Sequence, residues 1–280
     1  MNAPLRTIPF VKMNGLGNDF AVVQAPLRAF DPAPEQVRAW GNRETGIGFD
    51  QLIAISQDEA GPPLVRFWNS DGEEIDACGN GSRCVGWLLL EAVQADLTAF
   101  RTRERLISAT RMGDHRVSVD MGPPRLAWDQ IPLSEKMDTR GIELEVGPHG
   151  APIMHTPGCV SMGNPHVVFF TDRQDDETVR SVGSLIEHHP LFPEGVNVGF
   201  CHVQGPNLIR LRVWERGAGL TRACGTGACA ALVAAARRKL CERRATVLVD
   251  GGALEIEWRE GDDHVLMTGA VEIEFTGTLP

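Results

Sequence analysis

The chain has 280 residues, of which 42% are hydrophobic, and its formal net charge at pH 7 is −10. A chain of this length and composition can bury one large or two ordinary hydrophobic cores. The negative charge disfavours nucleic acid and anionic membranes as partners, and no apolar run reaches the roughly 18 residues that a membrane span needs. We therefore expect a globular cytoplasmic protein that binds neither nucleic acid nor membrane.

Seven cysteines, an odd number, are spread along the chain without a recognisable secretion signal. This distribution argues against a framework of disulfides and predicts reduced thiols. Cys78 and Cys224 each stand directly before a glycine-rich turn and are candidates for chemistry. The remaining five are expected to be small buried hydrophobic residues: Cys84, Cys159, Cys201, Cys229 and Cys241.

The first half of the chain contains the pattern of a strand, a turn and a buried helix. Residues 64–68 form a short β-prone run, and residues 69–72 have the turn sequence Asn-Ser-Asp-Gly. A glycine-rich turn at 79–82 then opens an apolar stretch of helical length at 85–93.

The second half repeats this order. Ile209, Leu211 and Val213 alternate with arginines, which predicts a half-buried strand. A glycine-rich turn at 225–227 opens an alanine-rich helix at 228–240, whose cationic end complements the helix dipole. Further strands are predicted around residues 247–249, 254–258 and 271–275, between glycine- and aspartate-rich turns. Both predicted helices are apolar on nearly every face, so each should lie inside a core.

A single offset of 146 positions relates the two halves, and it carries Cys78 onto Cys224. The same offset relates other pairs, which are Gly17 and Gly163, Asn18 and Asn164, Gln51 and Asn197, Arg66 and Arg212, Trp68 and Trp214, Val119 and Val265, and Met121 and Met267. Several matches at one offset indicate two copies of one module.

The duplication predicts an α+β fold of two pseudo-symmetric homologous domains. Each domain is expected to be a curved, mostly antiparallel β-sheet or barrel wrapped around a central α-helix. We place the first domain at residues 1–122 together with 271–280 and the second at 123–270. The active site is expected in the cleft between them, with Cys78 from one domain and Cys224 from the other.

Each of these two thiols stands at the start of a predicted buried helix, where unsatisfied backbone N–H groups and the positive end of the helix dipole converge. Such a place is expected to lower a thiol pKa and to hold an anion. A carboxylate bound between two such helix starts would present one thiol to each face of its α-carbon. One thiolate could remove the α-proton while the opposite thiol delivers another, which inverts the stereocentre without any cofactor or metal.

A protein of a different class, which binds zinc or senses redox state through its cysteines, is the alternative to an enzyme. A zinc site would need Cys78, Cys84, Cys224 and Cys229, but helical partners five or six positions apart point away from one another. A redox role favours a Cys-x-x-Cys pair, which the sequence lacks. The two-thiol enzyme is therefore the preferred hypothesis.

Stretches that follow in order over almost the whole chain resemble the diaminopimelate epimerase family. They are residues 12–20, 46–52, 69–72, 78–84, 163–166, 196–198, 215–219 and 223–229. Proline racemases are similar in having two cysteines, but their motif is Cys-Gly-His-Gly, whereas Asn80 stands at the histidine position here. The resemblance favours the epimerase family, and a proline racemase-like enzyme for another amino acid is the alternative within the same chemistry.

The resemblance implies conversion of LL-2,6-diaminopimelate to the meso isomer in lysine and peptidoglycan precursor biosynthesis, with neither pyridoxal phosphate nor metal. It implies that the thiol of Cys224 accepts the proton from the LL isomer and that the thiol of Cys78 donates one. It implies that His166 influences catalysis and that Glu215 belongs to the catalytic as well as the binding residues. It also implies a homodimer.

The resemblance assigns two groups of residues to the small-molecule amino-acid substrate. Those that hold the reacting carboxylate at the helix starts are Gly79, Asn80, Gly225 and Thr226. Those that bind the rest are Asn18, Gln51, Asn69, Asn164, Asn197, Glu215 and Arg216. Their chemistry suits this substrate, because a guanidinium can pair with a distal carboxylate, a carboxylate with an ammonium, and amides with either part of a zwitterion.

Two positions depart from the family pattern. Asn14 stands where a histidine is usual, and Leu220 stands where a glutamate is usual. Neither residue is assigned to chemistry. The departures are therefore expected to affect only local packing or hydrogen bonding, near Gly15 and near the second helix start.

Overall fold

The computed structural model describes residues 8–26, 30–58, 61–75, 78–103, 105–148 and 150–279. These residues form two compact units. The first runs to Val119 and resumes at Gly269, and the second is Asp120–Thr268. Among the described residues, no helix has the length and apolar character that crossing a membrane would require.

Strands outnumber helices in both parts of the chain. The elements up to the first buried helix and its following strands are β1 (Ile8–Gly15), β2 (Asn18–Pro26), α1 (Pro34–Gly41), β3 (Gln51–Asp58), β4 (Gly61–Asn69), β5 (Glu74–Ile75), α2 (Gly79–Val93), β6 (Leu97–Arg101), β7 (Leu106–Gly113) and β8 (Arg116–Asp120). The elements that follow are β9 (Glu145–Val146), β10 (Met154–His155), β11 (Gly158–Ser161), β12 (Pro165–Phe170), α3 (Asp176–Glu187), β13 (Asn197–Gly205), β14 (Leu208–Glu215), β15 (Gly219–Thr221), α4 (Gly225–Arg237), β16 (Arg244–Val249), β17 (Gly252–Trp258), β18 (Val265–Ala270) and β19 (Glu272–Leu279).

The strands of the first unit pair mostly antiparallel. β1 pairs with β2 and with the returning strand β19, so the end of the chain completes the sheet of the first unit. β3 pairs antiparallel with β4, and β7 pairs antiparallel with both β6 and β8. β2 with β3 and β4 with β6 pair in parallel.

The strands of the second unit repeat this pattern. β11 with β12, β13 with β14, and β17 with both β16 and β18 pair antiparallel. β12 with β13 and β14 with β16 pair in parallel, at the same places in the order as the parallel pairs of the first unit. The mostly antiparallel α+β architecture that the sequence predicted is therefore confirmed.

The register of several strand pairs also repeats at the offset of 146 positions, as in β2 with β3 and β12 with β13. Phe20 faces Gln51 between β2 and β3, and His166 faces Asn197 between β12 and β13. The first residues of α2 and α4 are separated by the same offset. The two units therefore share one topology, as the internal duplication predicted, although β6 with β7 and β7 with β8 differ in register from β16 with β17 and β17 with β18.

The helices α2 and α4 are buried through most of their length, as their apolar sequences predicted. In α2, residues 79–87 are buried, and in α4 residues 227–235 are buried. A Cβ on Gly86 would lie 2.7 Å from the Cβ of Ala109, so α2 packs directly against β7. Gly79 and Gly225 are also buried, so the start of each helix lies within the core of its own unit.

Helix α4 ends at Arg237, three residues before the predicted end. Lys239 adopts a positive φ of 58°, and its N–H donates to the carbonyl of Ala236 at 2.9 Å. The N–H of Leu240 donates to the carbonyl of Ala235 at 3.0 Å. This pair of bonds is the usual way in which a left-handed residue closes a helix.

Helix α3 was not predicted, although its sequence carries a helix signal. The side chain of Asp175 accepts the N–H of Thr178 at 2.9 Å and caps the helix. Val179, Val182 and Ile186 are buried at helical spacing. The many charged residues of α3 make it less apolar than the two buried helices, as expected for a helix with one buried face.

Candidate active site

The first candidate thiol lies at the N-terminus of α2. Cys78 precedes the helix with an extended backbone (φ −127°, ψ 123°) and a half-buried side chain. Its carbonyl oxygen accepts the N–H of Ser82 at 2.8 Å. Because Gly79 begins the helix, the first N–H groups of the helix are directed towards this end. A helix start of this kind favours an anionic group.

Two predicted substrate-binding residues touch each other at this helix start. Asn80 is 2% exposed, and its Nδ2 donates to Oδ1 of Asn18 at 2.6 Å. Asn80 Oδ1 accepts a hydrogen bond from Arg83 at 3.0 Å, and Asn18 Nδ2 donates to Oδ2 of Asp50 at 3.3 Å. Sequence reasoning did not single out Asp50, although it lies beside Gln51 within the motif at 46–52.

The other amides of the first unit meet across a strand pair. Gln51 begins β3 and faces Asn69 at the end of β4. Gln51 Nε2 donates to Oδ1 of Asn69 at 3.0 Å. Gln51 Oε1 is buried and accepts no hydrogen bond from the described residues. A buried acceptor of this kind suits a donor group on a ligand.

The second candidate thiol lies at the N-terminus of α4, in the same local geometry. Cys224 also has an extended backbone (φ −117°, ψ 108°) before the first helical residue, Gly225. Its Sγ accepts the N–H of Gly227 at 3.4 Å and lies 3.6 Å from Oγ1 of Thr226. The thiol is 4% exposed, so it is more buried than Cys78.

A chain of hydrogen bonds leads from His166 to the second thiol. Asn164 Nδ2 donates to Oγ1 of Thr226 at 3.3 Å, and Asn164 Oδ1 lies 3.1 Å from Nε2 of His166. Since the amide uses Nδ2 as a donor, its oxygen accepts, which assigns the imidazole proton to Nε2. His166 thus reaches Cys224 through two intervening side chains.

Glu215 and burial together determine the protonation of Cys224. Burial raises the pKa of the Cys224 thiol well above its ordinary value, and the negative charge of Glu215, which lies within hydrogen-bond reach, raises it further. Hydrogen bonds from Thr226 and Gly227 act in the opposite direction. The expectation that the helix start lowers the pKa of this thiol is therefore wrong, because desolvation and the adjacent carboxylate outweigh the helix N–H groups.

The carboxylate of Glu215 is itself held in place. Thr221 on β15 donates its hydroxyl to Oε1 of Glu215 at the end of β14. The two residues lie on antiparallel neighbouring strands. Thr221 was not among the predicted site residues, and its position between the 215–219 and 223–229 motifs is the signal that could have identified it.

Arg216 follows Glu215 and is fixed by its backbone and its side chain. Its N–H donates to Oδ1 of Asn197 at 3.0 Å, and its Nη1 donates to the carbonyl of Glu194 at 2.8 Å. Asn197 is 3% exposed and donates its Nδ2 to the carbonyl of Pro165 at 2.9 Å. The amide nitrogen and the amide oxygen of Asn197 thus each make one hydrogen bond within the second unit.

Residues 10–127 and 158–274 match the family described as diaminopimelate epimerase. This chain belongs to the diaminopimelate epimerase family. Relatives named diaminopimelate epimerase are highly similar over nearly the full length. The one from Caulobacter sp. (strain K31) is 60% identical, with 97% of each chain covered, and the one from Phenylobacterium zucineum (strain HLK1) is 58% identical, with 97% of this chain and 98% of that protein covered.

Solved structures with low sequence identity share the fold of this diaminopimelate epimerase family member. A hydroxyproline epimerase from Agrobacterium vitis has a TM-score of 0.68 at 14% identity, covering 99% of this chain and 94% of that one. A PhzF family protein from Enterococcus faecalis also has a TM-score of 0.68 at 14% identity, covering 97% and 98%. At this identity the similarity establishes the two-domain, mostly β architecture.

The two departures from the diaminopimelate epimerase pattern have local roles. Asn14 Oδ1 accepts the N–H of Gly17 at 2.8 Å, and its Nδ2 donates to Oε1 of Glu274 at 3.2 Å. Leu220 packs, partly buried, against the hydrophobic core of the second unit. Asn14 thus supports the turn between β1 and β2, and Leu220 adds apolar packing.

The cysteines outside the two helix starts are mostly buried. Cys84, Cys159, Cys201 and Cys229 are fully buried, as predicted. Burial raises the pKa of Cys84 to about 12 and that of the half-buried Cys241 to about 11. Within the described part of the chain, no three His, Cys, Asp or Glu side chains converge as metal ligands would.

Proposed function

We propose that this protein inverts one α-carbon of LL-2,6-diaminopimelate to give the meso isomer, using the thiols of Cys78 and Cys224. The observation that carries the proposal is the repeated helix start. In each unit a cysteine with extended backbone precedes a buried helix, and the second helical residue bonds to an asparagine 62 positions earlier, Asn80 to Asn18 and Thr226 to Asn164. Relatives of nearly 60% identity carry the name of this epimerase.

The reaction needs two thiols in opposite protonation states. The thiolate of Cys224 takes the α-proton of the LL isomer and becomes a thiol, and the electron pair left on carbon spreads into the carboxylate. The thiol of Cys78 then protonates the opposite face and becomes a thiolate. Neither a cofactor nor a metal enters this balance, because each proton moves between sulfur and carbon.

Gly79, Asn80, Gly225 and Thr226 stand at the helix starts, where backbone N–H groups can hold the reacting carboxylate. Negative charge on that carboxylate increases in the transition state, so donors aligned in advance stabilise the transition state more than the ground state. We assign the rest of the substrate to polar groups of both units, which are Asn18, Gln51, Asn69, Asn164, Asn197, Glu215 and Arg216.

Glu215 links binding to catalysis. Without substrate, burial and this carboxylate keep the pKa of Cys224 high. A substrate ammonium bound beside Glu215 would offset the negative charge and favour the thiolate. His166 acts on the same thiol indirectly, by orienting Asn164 and, through it, Thr226.

The deciding experiment is proton NMR of LL-diaminopimelate in deuterium oxide with the reduced protein. We expect the α-proton signal to disappear as the meso isomer forms. Cys78→Ala and Cys224→Ala should each reduce the rate of epimerisation by at least about 1,000-fold, because each removes a reacting group. Cys241→Ala is the matched control and should retain wild-type activity.

A wild-type protein that leaves diaminopimelate unchanged would rule out the proposed substrate. A panel of other amino acids would then test the racemase alternative. Full activity in either single-thiol variant would rule out the two-thiol mechanism while leaving the substrate assignment intact.

We also propose, from the family resemblance, that the protein acts as a homodimer in the cytoplasm and supplies meso-diaminopimelate for lysine and peptidoglycan precursor biosynthesis. The apolar cores of both units suit a protein that folds in water. The oligomeric state is open to direct measurement of mass in solution.

A further inference from the structure

Glu187, the last residue of α3, carries a buried carboxylate that the proposed mechanism does not use. The residue is 6% exposed. Its Oε2 accepts the indole N–H of Trp214 at 2.7 Å, and its Oε1 accepts the backbone N–H of Gly217 at 2.7 Å. Each oxygen therefore receives a short hydrogen bond, as a buried carboxylate requires.

These two bonds bracket the Glu215–Arg216 pair. Trp214 is the residue before the pair, and Gly217 is the residue after it. A Cβ on Gly183 would lie 2.5 Å from the side chain of Trp214, so the indole packs directly against the backbone of α3. Glu187 thus joins both ends of the four-residue segment 214–217 to one helix.

Comparison of the repeats shows that the second unit has this buried carboxylate and that the first unit has none at the corresponding position. At the offset of 146 positions, Gly41 of α1 corresponds to Glu187, and Asn69–Ser70 corresponds to Glu215–Arg216. A Cβ on Gly41 would lie 3.1 Å from both the Cβ of Ser70 and the ring of Phe49, so the first unit has little room for a side chain at this place. The buried carboxylate therefore accompanies the charged pair and is absent beside the uncharged one.

We propose that Glu187 is a positioning residue that holds Glu215 and Arg216 in the orientation that binds the substrate's charged groups. The inference rests on the proposed function, since it concerns the substrate side of that same site. A carboxylate is needed because both of its oxygens accept. Glutamine has one acceptor, and its NH₂ group would face the second N–H donor.

The test is the steady-state kinetics of Glu187→Gln with LL-diaminopimelate. We expect KM to rise about tenfold and kcat to fall by no more than about threefold, because loss of one bond loosens the groups that bind the charged ends of the substrate, of which Glu215 also acts on the Cys224 thiol. Trp214→Phe removes the indole N–H while Gly217 still bonds to the carboxylate, and should raise KM about threefold. Glu177→Gln removes an exposed carboxylate from the first turn of the same helix and should leave both constants unchanged.

The outcomes separate this inference from the proposed function. If the wild type does not epimerise diaminopimelate, the proposed function fails and the inference fails with it. If the wild type is active and both variants keep the wild-type KM, the inference alone is overturned. A fall in kcat with unchanged KM would also overturn the inference. So would a fall in kcat that equals the rise in KM and comes with a lower Tm, because either result is that of a residue that only supports the fold. Trp214→Phe provides the test if Glu187→Gln does not fold.

Discussion

At the scale of single residues, burial sets the charge of His166. The imidazole is 1% exposed and donates from Nε2 to Asn164. Burial, with a smaller effect of the positive charge of Arg216, lowers the pKa of His166 to about 3. The ring is therefore neutral at physiological pH and acts as a hydrogen-bond donor of fixed orientation.

This protonation state predicts a dependence of stability on pH. The pKa of His166 lies below its ordinary value of 6.5, so the unfolded chain takes up a proton first as the pH falls. The stabilising contribution is fully present above pH 6.5 and is lost as the pH falls towards 3. Between pH 7 and pH 5 we expect His166 to account for a loss of about 2 kcal/mol in the free energy of unfolding.

The measurement is urea unfolding of the wild type and of His166→Gln at several pH values. The variant should lose about 2 kcal/mol less than the wild type between pH 7 and pH 5. The exposed His155 provides the control, since His155→Gln should follow the wild-type curve. Parallel curves for the wild type and His166→Gln would show that His166 is not held neutral by the fold.

At the scale of elements, the two helix starts depend on glycines that allow close approach. A Cβ on Gly227 would lie 3.0 Å from Val213 Cγ2 and 3.1 Å from the Sγ of Cys224. Its repeat counterpart Gly81 would bring a Cβ to 2.9 Å from Ile53. In both units the third residue of the helix packs against a side chain of a neighbouring strand.

Gly227→Ala should affect both stability and activity. The added methyl group must displace Val213 or the thiol, and such overpacking costs about 1–3 kcal/mol. We expect a loss of free energy of unfolding in this range, together with a reduced rate of α-proton exchange, because the added methyl group contacts Sγ of Cys224. Urea unfolding and exchange in deuterium oxide measure the two effects.

Gly261→Ala is the matched control, because a Cβ there would meet no atom within 4 Å. It should change the free energy of unfolding by less than about 0.5 kcal/mol. A Gly227→Ala protein with wild-type stability and wild-type exchange would contradict the proposed close packing at the second thiol.

At the scale of the whole molecule, one duplicated topology carries two different sets of polar groups. The register of β2 with β3 and the two helix starts repeat at the offset of 146 positions, yet Asn69 corresponds to Glu215 and Asn80 to Thr226. A substrate with two amino-acid ends, of which one reacts, is itself asymmetric. Divergence of the polar groups on a conserved scaffold fits such a substrate.

The proposed homodimer is a prediction at this scale. The first unit keeps large apolar side chains exposed on its last strand, where Ile273 is 41% and Phe275 is 48% exposed. A second copy would remove exposed apolar surface of this kind from water. Sedimentation of the full chain should give twice the mass of 30.5 kDa at micromolar concentration. A sedimenting species of 30.5 kDa across that range would refute the dimer.

The sequence by itself determined the features that depend on local pattern. The glycine-rich turns before apolar stretches predicted the starts of α2 and α4, because these signals span only a few residues. The offset of 146 positions predicted two modules of one topology, since a duplicated fold preserves spacing even where residues diverge. The end of α4 was predicted three residues late, because the left-handed backbone of Lys239 has no strong local signal.

Tertiary structure alone decided the electrostatics and the supports of the candidate site. The sequence placed Cys224 at a helix start and so predicted a lowered pKa, whereas burial and the charge of Glu215 raise it. Glu187 was not identified because it lies 30 positions before Gly217, the residue that it holds. Desolvation and charge interactions depend on distance in space and on the surrounding packing, and neither is encoded in the spacing of residues along the chain.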